Sequence, residues 1–152
     1  MKGSQPLFSS ASETWATPDD VRARLYKEFA LDFDPCPLAN PSEVGMPLFG
    51  TDALAKPWRD KRVFCNPPYG PGIDYWLAKA REATIAVFLV PSRTDTRWWH
   101  RYAMRADEIR FLRGRLKFGG AKNSAPFPSV VLVFRNERAD ARWTGDASIG
   151  AG

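Results

Sequence analysis

The chain has 152 residues, which is enough for one domain with its own hydrophobic core and too few for a second large domain. Its formal net charge of +5 favours a polyanionic partner, and nucleic acid is the natural candidate. Residues 1–12 contain no apolar stretch typical of a signal peptide, and no segment is long and apolar enough to cross a bilayer. We therefore expect a cytoplasmic protein without a membrane partner.

The beginning of the chain predicts an arm, a helix and a short strand. Residues 1–13 are small and polar, and we expect them to form a flexible arm. A helix is predicted to open at Thr17, with Pro18 in its first turn and apolar residues at helical spacing after it, so that it packs on a sheet. Residues 31–36 alternate apolar and acidic side chains and then meet prolines, which predicts a short strand with Asp34 at its carboxyl end.

The middle of the chain carries the strongest strand signals. Residues 37–62 are rich in proline and glycine and predict only a short helical piece around Asp52. Residues 63–65 predict a buried strand, residues 73–83 an amphipathic helix, and residues 85–90 the central strand of a parallel sheet.

The last part of the chain predicts one short helix and three closing strands. Thr94 or Asp95 is placed to cap the helix, which runs through Trp98. Residues 136–152 show little apolar periodicity and are predicted to be a disordered tail. The strands are predicted at residues 109–112, 114–118 and 130–134, with residues 119–128 as a mobile connection.

This alternation of helices and strands predicts an α/β fold in which residues 14–135 form a single domain around an open, mainly parallel sheet. Ligands of such folds bind above the carboxyl ends of the strands. We therefore expect Asp34, Asn66 and Ser92 to lie on one rim.

The cysteines give no sign of a metal site. Cys36 and Cys65 each lie beside an apolar run, and they lack the paired spacing of zinc ligands. We interpret them as reduced residues of the core or of a pocket, and we expect no metal.

The sequence Asn66-Pro67-Pro68-Tyr69 suits the methylation of a planar exocyclic amine. The lone pair of the adenine amine is delocalised into the ring, so a catalyst gains by accepting both amine hydrogens. The Asn66 side-chain oxygen and the Pro67 carbonyl are the predicted acceptors, while the two prolines make the turn rigid and Tyr69 offers a ring face to the base. No general base is required, because placement and electrostatics lower the barrier. An ordinary tight turn after a strand is the alternative interpretation.

Positive charge is concentrated in the second half of the chain and is interleaved with aromatic residues, as a surface that follows phosphates requires. A solvated helix face is the alternative for any single arginine. The loops at residues 92–99 and 119–129 are the candidates for base recognition. The candidate substrate-binding residues are Ser92, Arg93, Thr94, Arg97, Arg115 and Lys117.

Seven short pieces in one order make the chain resemble the small Dam-like DNA N6-adenine methyltransferases of phages and prophages, over about residues 15–134. The pieces are Trp15-Ala16-Thr17-Pro18, Phe33-Asp34-Pro35-Cys36, Asp52-Ala53-Leu54 with Trp58, Asn66-Pro67-Pro68-Tyr69-Gly70, Pro91-Ser92-Arg93-Thr94-Asp95-Thr96, Phe111-Leu112-Arg113-Gly114-Arg115-Leu116-Lys117-Phe118 and Pro126-Phe127-Pro128-Ser129.

The resemblance implies S-adenosylmethionine as the cofactor. It places Thr17 and Asp34 near the methionine end of the donor, Asp52 near the adenosine, and Phe118 opposite Tyr69 across the target base. Larger relatives follow the acidic strand end with a glycine-rich loop that this chain lacks, so we expect a trimmed Rossmann-like S-adenosylmethionine-dependent methyltransferase sheet. The donor-binding residues implied are Trp15, Thr17, Pro18, Asp34, Pro35, Cys36 and Asp52.

The function predicted from these observations is site-specific methylation of adenine N6 in DNA, by direct methyl transfer to a flipped base, in a monomer or weak dimer. Two classes of alternative stay open. One is a methyltransferase acting on RNA bases or on a protein glutamine amide, and the other is a non-catalytic DNA-binding relative that has lost donor binding.

Overall fold

A computed structural model describes residues 16–36, 52–119 and 122–136. These residues contain four α-helices and four strands. The helices are α1 (Asp19–Phe29), α2 (Asp52–Ala55), α3 (Ile73–Ala78) and α4 (Arg97–Arg101), and the strands are β1 (Arg62–Cys65), β2 (Ile85–Pro91), β3 (Glu108–Phe111) and β4 (Ser129–Arg135). Short 3-10 helices follow α3 and α4, at Lys79–Glu82 and Ala103–Arg105.

The described strands form one sheet in the order β1-β2-β4-β3. β1 is parallel to β2, whereas β4 is antiparallel to both β2 and β3. The predicted α/β class agrees with this structure, but the prediction of a mainly parallel sheet is wrong. An apolar run such as residues 130–134 indicates a buried strand but not the direction of that strand. β4 lies between β2 and β3, which are parallel to each other, and runs in the opposite direction to both.

The core is built around β2. All seven of its residues are buried, because β1 and β4 flank it in the sheet and side chains cover both of its faces. Phe88 lies between the rings of Trp58 and Phe134, at centroid distances of 6.0 and 5.8 Å. The apolar stripe of α1 contributes Leu25 and Phe29 to the same core, as the predicted packing of this helix on a sheet requires.

Two predicted strands are not formed. Residues 31–36 make only a single parallel bridge, between Phe33 and Val63, because Pro35 has no N–H to continue a ladder. Residues 114–118 pair with no strand in the described part of the chain, and Gly114 turns the backbone away from β3 with a φ of +76°.

The predicted helices are present with different ends. α1 begins at Asp19 with Pro18 as its N-cap, so Thr17 does not cap it. The helix predicted over residues 73–83 is α-helical only to Ala78 and then tightens into the 3-10 turn. Thr96 caps α4, in place of the predicted Thr94 or Asp95, by accepting the Trp99 N–H at 3.3 Å.

Asn136 marks the last described residue of the domain. The side-chain amide of Asn136 donates to the carbonyls of Ala80 and Ala83, and its backbone N–H donates to Thr84, so this residue is held on the domain. The rest of the tail, the predicted arm and Trp15 lie outside the described residues. None of the described helices has the length and apolar character needed to cross a membrane.

A network of ion pairs connects α1 to the edge strand β3. Arg110 binds Glu28 of α1 and Glu108 of its own strand, and Arg135 of β4 also binds Glu108. Hydrogen bonds from Arg110 lower the pKa of both Glu28 and Glu108 below the usual carboxyl range. The network therefore holds the edge strand β3 close to α1.

Replacing Arg110 with methionine should reduce the free energy of unfolding at neutral pH by about 0.5–1 kcal/mol, the range for partly exposed pairs. Because the carboxyl pKa values are lowered in the folded state, this contribution is present above the usual carboxyl pKa and is lost as the pH falls through the lowered values. Urea unfolding at pH 7 and pH 3 measures the change. Arg113→Met is the control, since Arg113 is exposed and has no ion-pair partner among the described residues, and an equal loss in both variants would contradict the network.

Candidate active site

The carboxyl ends of three strands meet at one edge of the sheet. β1, β2 and β3 run in the same direction, because β4 is antiparallel to the two strands beside it. Asn66 follows β1 and Ser92 follows β2, while the parallel bridge of Phe33 brings Asp34 to the same edge. The prediction that Asp34, Asn66 and Ser92 share one rim is confirmed.

Asn66 is held at this rim by an unexpected partner. Its side chain is buried, and its amide nitrogen donates to the Thr17 hydroxyl at 2.9 Å. With the amide nitrogen on the Thr17 side, the oxygen occupies the opposite branch, where it is available as an acceptor. The hydroxyl of Thr17, the predicted first residue of α1, therefore orients the side chain predicted to bind the substrate amine.

Replacing Thr17 with valine keeps the shape of the side chain and removes the oxygen that orients Asn66. We expect kcat to fall about tenfold, the upper range for one neutral hydrogen bond, with a smaller effect on the KM for the acceptor. Thr17→Ser restores the hydroxyl and should restore kcat. Steady-state methylation kinetics on the three proteins test this role, and a wild-type kcat in the valine variant would contradict it.

Tyr69 is fixed to the sheet rather than open to a ligand. It is only 8% exposed, and its hydroxyl donates to the Leu89 carbonyl of β2 at 3.2 Å. Burial raises its pKa well above the usual value, so this hydroxyl stays protonated as a donor. Pro67 of the turn is also buried, and Pro68 is half-buried.

The expected stacking of a base between Tyr69 and Phe118 does not match this arrangement. Phe118 is 1% exposed, and the two rings are nearly perpendicular, with centroids 6.3 Å apart and planes at 77°. Phe127 contacts Tyr69 in the same edge-on way, at 5.5 Å and 83°. The three rings form a packed aromatic cluster beneath the turn, because the Tyr69 hydroxyl bond directs its ring toward the sheet.

Asp34 forms a partly buried ion pair that we did not predict from the sequence. Arg22 of α1 lies 2.8 Å from one carboxylate oxygen of Asp34, and the Cys36 N–H donates to the other oxygen at 3.0 Å. The same guanidinium lies over the Tyr26 ring at 4.8 Å. Burial raises the pKa of Asp34, although the Cys36 N–H and Arg22 both act to lower it.

A signal for Arg22 is present in the sequence. It occupies the apolar stripe of α1, four residues before Tyr26 and seven before Phe29, where a charged side chain needs a buried partner. Thr17 and Pro18 immediately precede this helix, so the start of α1 lies next to both Asn66 and Asp34. The structure thus brings together two parts of the predicted donor site.

The other donor candidates are placed less completely. Pro35 is buried and Cys36 is 9% exposed, and both follow Asp34 at the rim. Asp52 is the first residue of α2, but its side chain is outside the described part of the structure.

The two thiols are not nucleophiles. Cys36 and Cys65 are free and buried, as predicted for reduced core residues. Burial raises the pKa of Cys36 to about 12 and that of Cys65 well above its usual value, so neither forms a thiolate near neutral pH. The described side chains also contain no group of three potential metal ligands.

The substrate candidates lie on loops and at the start of α4, and most of them are exposed. The Ser92 N–H donates to the Pro128 carbonyl at 2.9 Å, and Arg93 lies over the Phe127 ring at 5.8 Å, which ties the loop after β2 to the end of the connection before β4. Thr94 is exposed, and its backbone carbonyl accepts a hydrogen bond from the His100 ring nitrogen at 2.8 Å. Arg97, Arg115 and Lys117 are exposed as well.

Comparison with protein-family models identifies a family for this chain. A protein-family model described as DNA N-6-adenine-methyltransferase (Dam) matches residues 5–144, a stretch that includes the rim, the turn at residues 66–69 and the ion pair. This family uses S-adenosylmethionine as its methyl donor. Searches among curated proteins and among solved structures gave no significant match.

Proposed function

The chain belongs to the Dam DNA N-6-adenine-methyltransferase family, and from that premise we propose that the turn at residues 66–69 is its catalytic turn. The observation that carries this proposal is the hydrogen bond from the Asn66 amide nitrogen to Thr17, which presents the amide oxygen as an acceptor at the rim. The oxygen accepts one hydrogen of the adenine amine and the Pro67 carbonyl accepts the other. Both contacts draw electron density onto the amine nitrogen as it becomes the nucleophile.

Burial of the turn strengthens these contacts. Asn66 is 3% exposed, so its amide dipole acts in a medium of low dielectric where it needs no reorganisation during the reaction. The Tyr69 hydroxyl bond to Leu89 and the rigid prolines hold the acceptors in place. We assign the aromatic cluster of Tyr69, Phe118 and Phe127 the role of supporting this geometry beside the target base.

The ion pair fits the amino-acid end of S-adenosylmethionine, which carries one ammonium and one carboxylate. Asp34 is the acceptor suited to the ammonium, and Arg22 is the donor suited to the carboxylate, in a setting that is already partly desolvated. When bound, the donor supplies an electrophilic methyl group on a sulfonium. Thr17, Pro18, Pro35 and Cys36 line the same region, and Trp15 and Asp52 remain proposed contacts.

An adenine inside a duplex does not reach a buried amide. The base must leave the stack, at a cost of a few kcal/mol, before its amine meets the turn. The exposed basic residues of the rim suit this step, because they attract phosphates on both sides of the extruded nucleotide. We therefore infer DNA as the acceptor, read at a short site by Ser92, Arg93, Thr94, Arg97, Arg115 and Lys117, in the cytoplasm where DNA and donor are both present.

Comparing acceptors tests this function. The protein is incubated with tritiated donor and, in separate reactions, with DNA, RNA and a mixture of proteins that offer glutamine amides. We expect label in DNA alone. Label in RNA or in protein would overturn the proposed acceptor, and a calorimetric titration that shows no donor binding would favour a non-catalytic DNA-binding protein.

A further inference from the structure

A cleft opens beside the catalytic turn, between the start of α3 and one face of α4. Its volume is about 220 Å³. Gly70 and Gly72, which follow Tyr69 directly in the chain, form part of one wall, and Arg97 and Arg101 form part of the other. This wall begins four residues after Asn66 in the chain, so we expect an occupant of the cleft to neighbour whatever binds at Asn66.

The walls differ in charge. Arg97 and Arg101 are both exposed and stand one helical turn apart, so their guanidinium groups reach the same side of α4. Neither has a carboxylate partner among the described residues, although the Arg101 guanidinium lies 5.4 Å from the centre of the Tyr102 ring. On the opposite wall, Asp74 provides the single carboxylate of the cleft lining.

The size of the cleft restricts its ligand. Sites for drug-sized ligands occupy about 300–1,000 Å³, so this cleft is too small for a whole S-adenosylmethionine molecule. It suits one nucleotide unit instead. Two guanidinium groups match the oxygens of one phosphate, the half-buried Trp98 ring offers a face to a base, and the two glycines let a sugar approach the backbone.

We propose that this cleft binds the DNA nucleotide next to the target adenine, with its phosphate on Arg97 and Arg101 and its base against Trp98. The inference depends on the proposed function, because the position of the nucleotide is defined by an adenine at Asn66. The phosphate lies toward α4, since Asp74 repels it from the other wall. Asp74 then accepts from the base edge and selects a neighbour that carries an exocyclic amine.

The test measures DNA binding, which does not require catalysis. The probe is a duplex oligonucleotide that contains a methylated site mapped with the wild-type protein, and its Kd is measured by fluorescence anisotropy over a series of salt concentrations. For the double variant Arg97→Ala with Arg101→Ala, we expect a Kd about tenfold higher and a salt slope reduced by about 1, as for one lost phosphate contact. Arg81→Ala is the matched control, because Arg81 is exposed and lies just before the amino end of β2, away from the rim.

A second probe locates the phosphate. A neutral methylphosphonate is placed in turn at each of the two phosphates beside the target adenine. One of these substitutions should weaken binding by the wild type and by Arg81→Ala, while it leaves the double variant unchanged. The inference would be overturned if the double variant and Arg81→Ala showed the same salt dependence of the Kd. It would also be overturned if the methylphosphonates weakened DNA binding equally in all three proteins.

The role of Asp74 is tested by sequence context. Asp74→Leu keeps a side chain of similar size without an acceptor, and it should reduce the preference for an amine-bearing neighbour by about tenfold when methylated positions are mapped in genomic DNA. An unchanged preference would overturn that assignment. If the wild-type protein itself leaves no N6-methyladenine in DNA, the proposed function has failed, which is distinct from failure of the cleft.

Discussion

Replacing Asn66 with alanine should lower the single-turnover rate of adenine methylation by about 100- to 1,000-fold, the usual effect of removing one preorganised electrostatic contact in an active site. The variant loses the amide oxygen that accepts an amine hydrogen, and the Pro67 carbonyl alone supplies the remaining acceptor. Binding of S-adenosylmethionine should change little, because its proposed contacts are at Asp34 and Arg22. Rapid-quench kinetics with saturating DNA and donor measure the rate.

A matched substitution separates acceptor chemistry from packing. Asn66→Asp keeps one oxygen toward the substrate, and its second oxygen accepts from the Thr17 hydroxyl, which turns from acceptor to donor. We expect this variant to retain more activity than Asn66→Ala. The reverse order, with both proteins folded as judged by thermal unfolding, would contradict the assigned role.

Replacing Asp34 with asparagine should raise the Kd for S-adenosylmethionine by about 10- to 100-fold, the range for a hydrogen bond to a charged group. The amide keeps the size of the carboxylate, but it no longer attracts the donor ammonium. Isothermal titration calorimetry measures the Kd without any dependence on turnover. Asp32→Asn is the control, since Asp32 is exposed and accepts from the Arg62 backbone N–H at 2.9 Å, so the donor affinity of this variant should stay at the wild-type value.

The pH dependence of donor binding gives a second outcome for the same residue. Burial raises the pKa of Asp34, so its carboxylate is protonated at a higher pH than an ordinary aspartate as the solution is acidified. Donor affinity of the wild type should therefore fall as the pH drops through this raised pKa, whereas Asp34→Asn should show a flat profile there. A parallel fall in both proteins would assign the titration to another group.

The sequence predicted the elements whose signals are local. The apolar run at residues 85–90 is β2 with one more residue, and the strand before Asn66 ends where expected, because burial on both faces leaves a continuous apolar pattern. The family resemblance also placed the chain correctly, since the Dam model covers nearly all of it. Asn66 and Ser92 reach one rim because β1 and β2 are parallel, so their carboxyl ends lie at the same edge of the sheet. Asp34 reaches that rim through the parallel bridge of Phe33 to β1.

What the sequence did not predict depends on contacts between distant segments. The reversed direction of β4, the bond between Thr17 and Asn66 over 49 positions, and the ion pair of Arg22 with Asp34 have no short-range signature. The burial of Tyr69 was not predicted for a similar reason. The Tyr69 side chain is buried by contacts with Leu89 and Phe127, which are distant from it in the sequence and close to it in the folded structure.

The most direct test of the account is nucleoside mass spectrometry of DNA after incubation with S-adenosylmethionine and either the wild-type protein or Asn66→Ala. The account predicts N6-methyladenine with the wild type and almost none with a variant of unchanged melting temperature. Equal amounts of N6-methyladenine from the two proteins would contradict the claim that the Asn66 amide is the acceptor for the adenine amine.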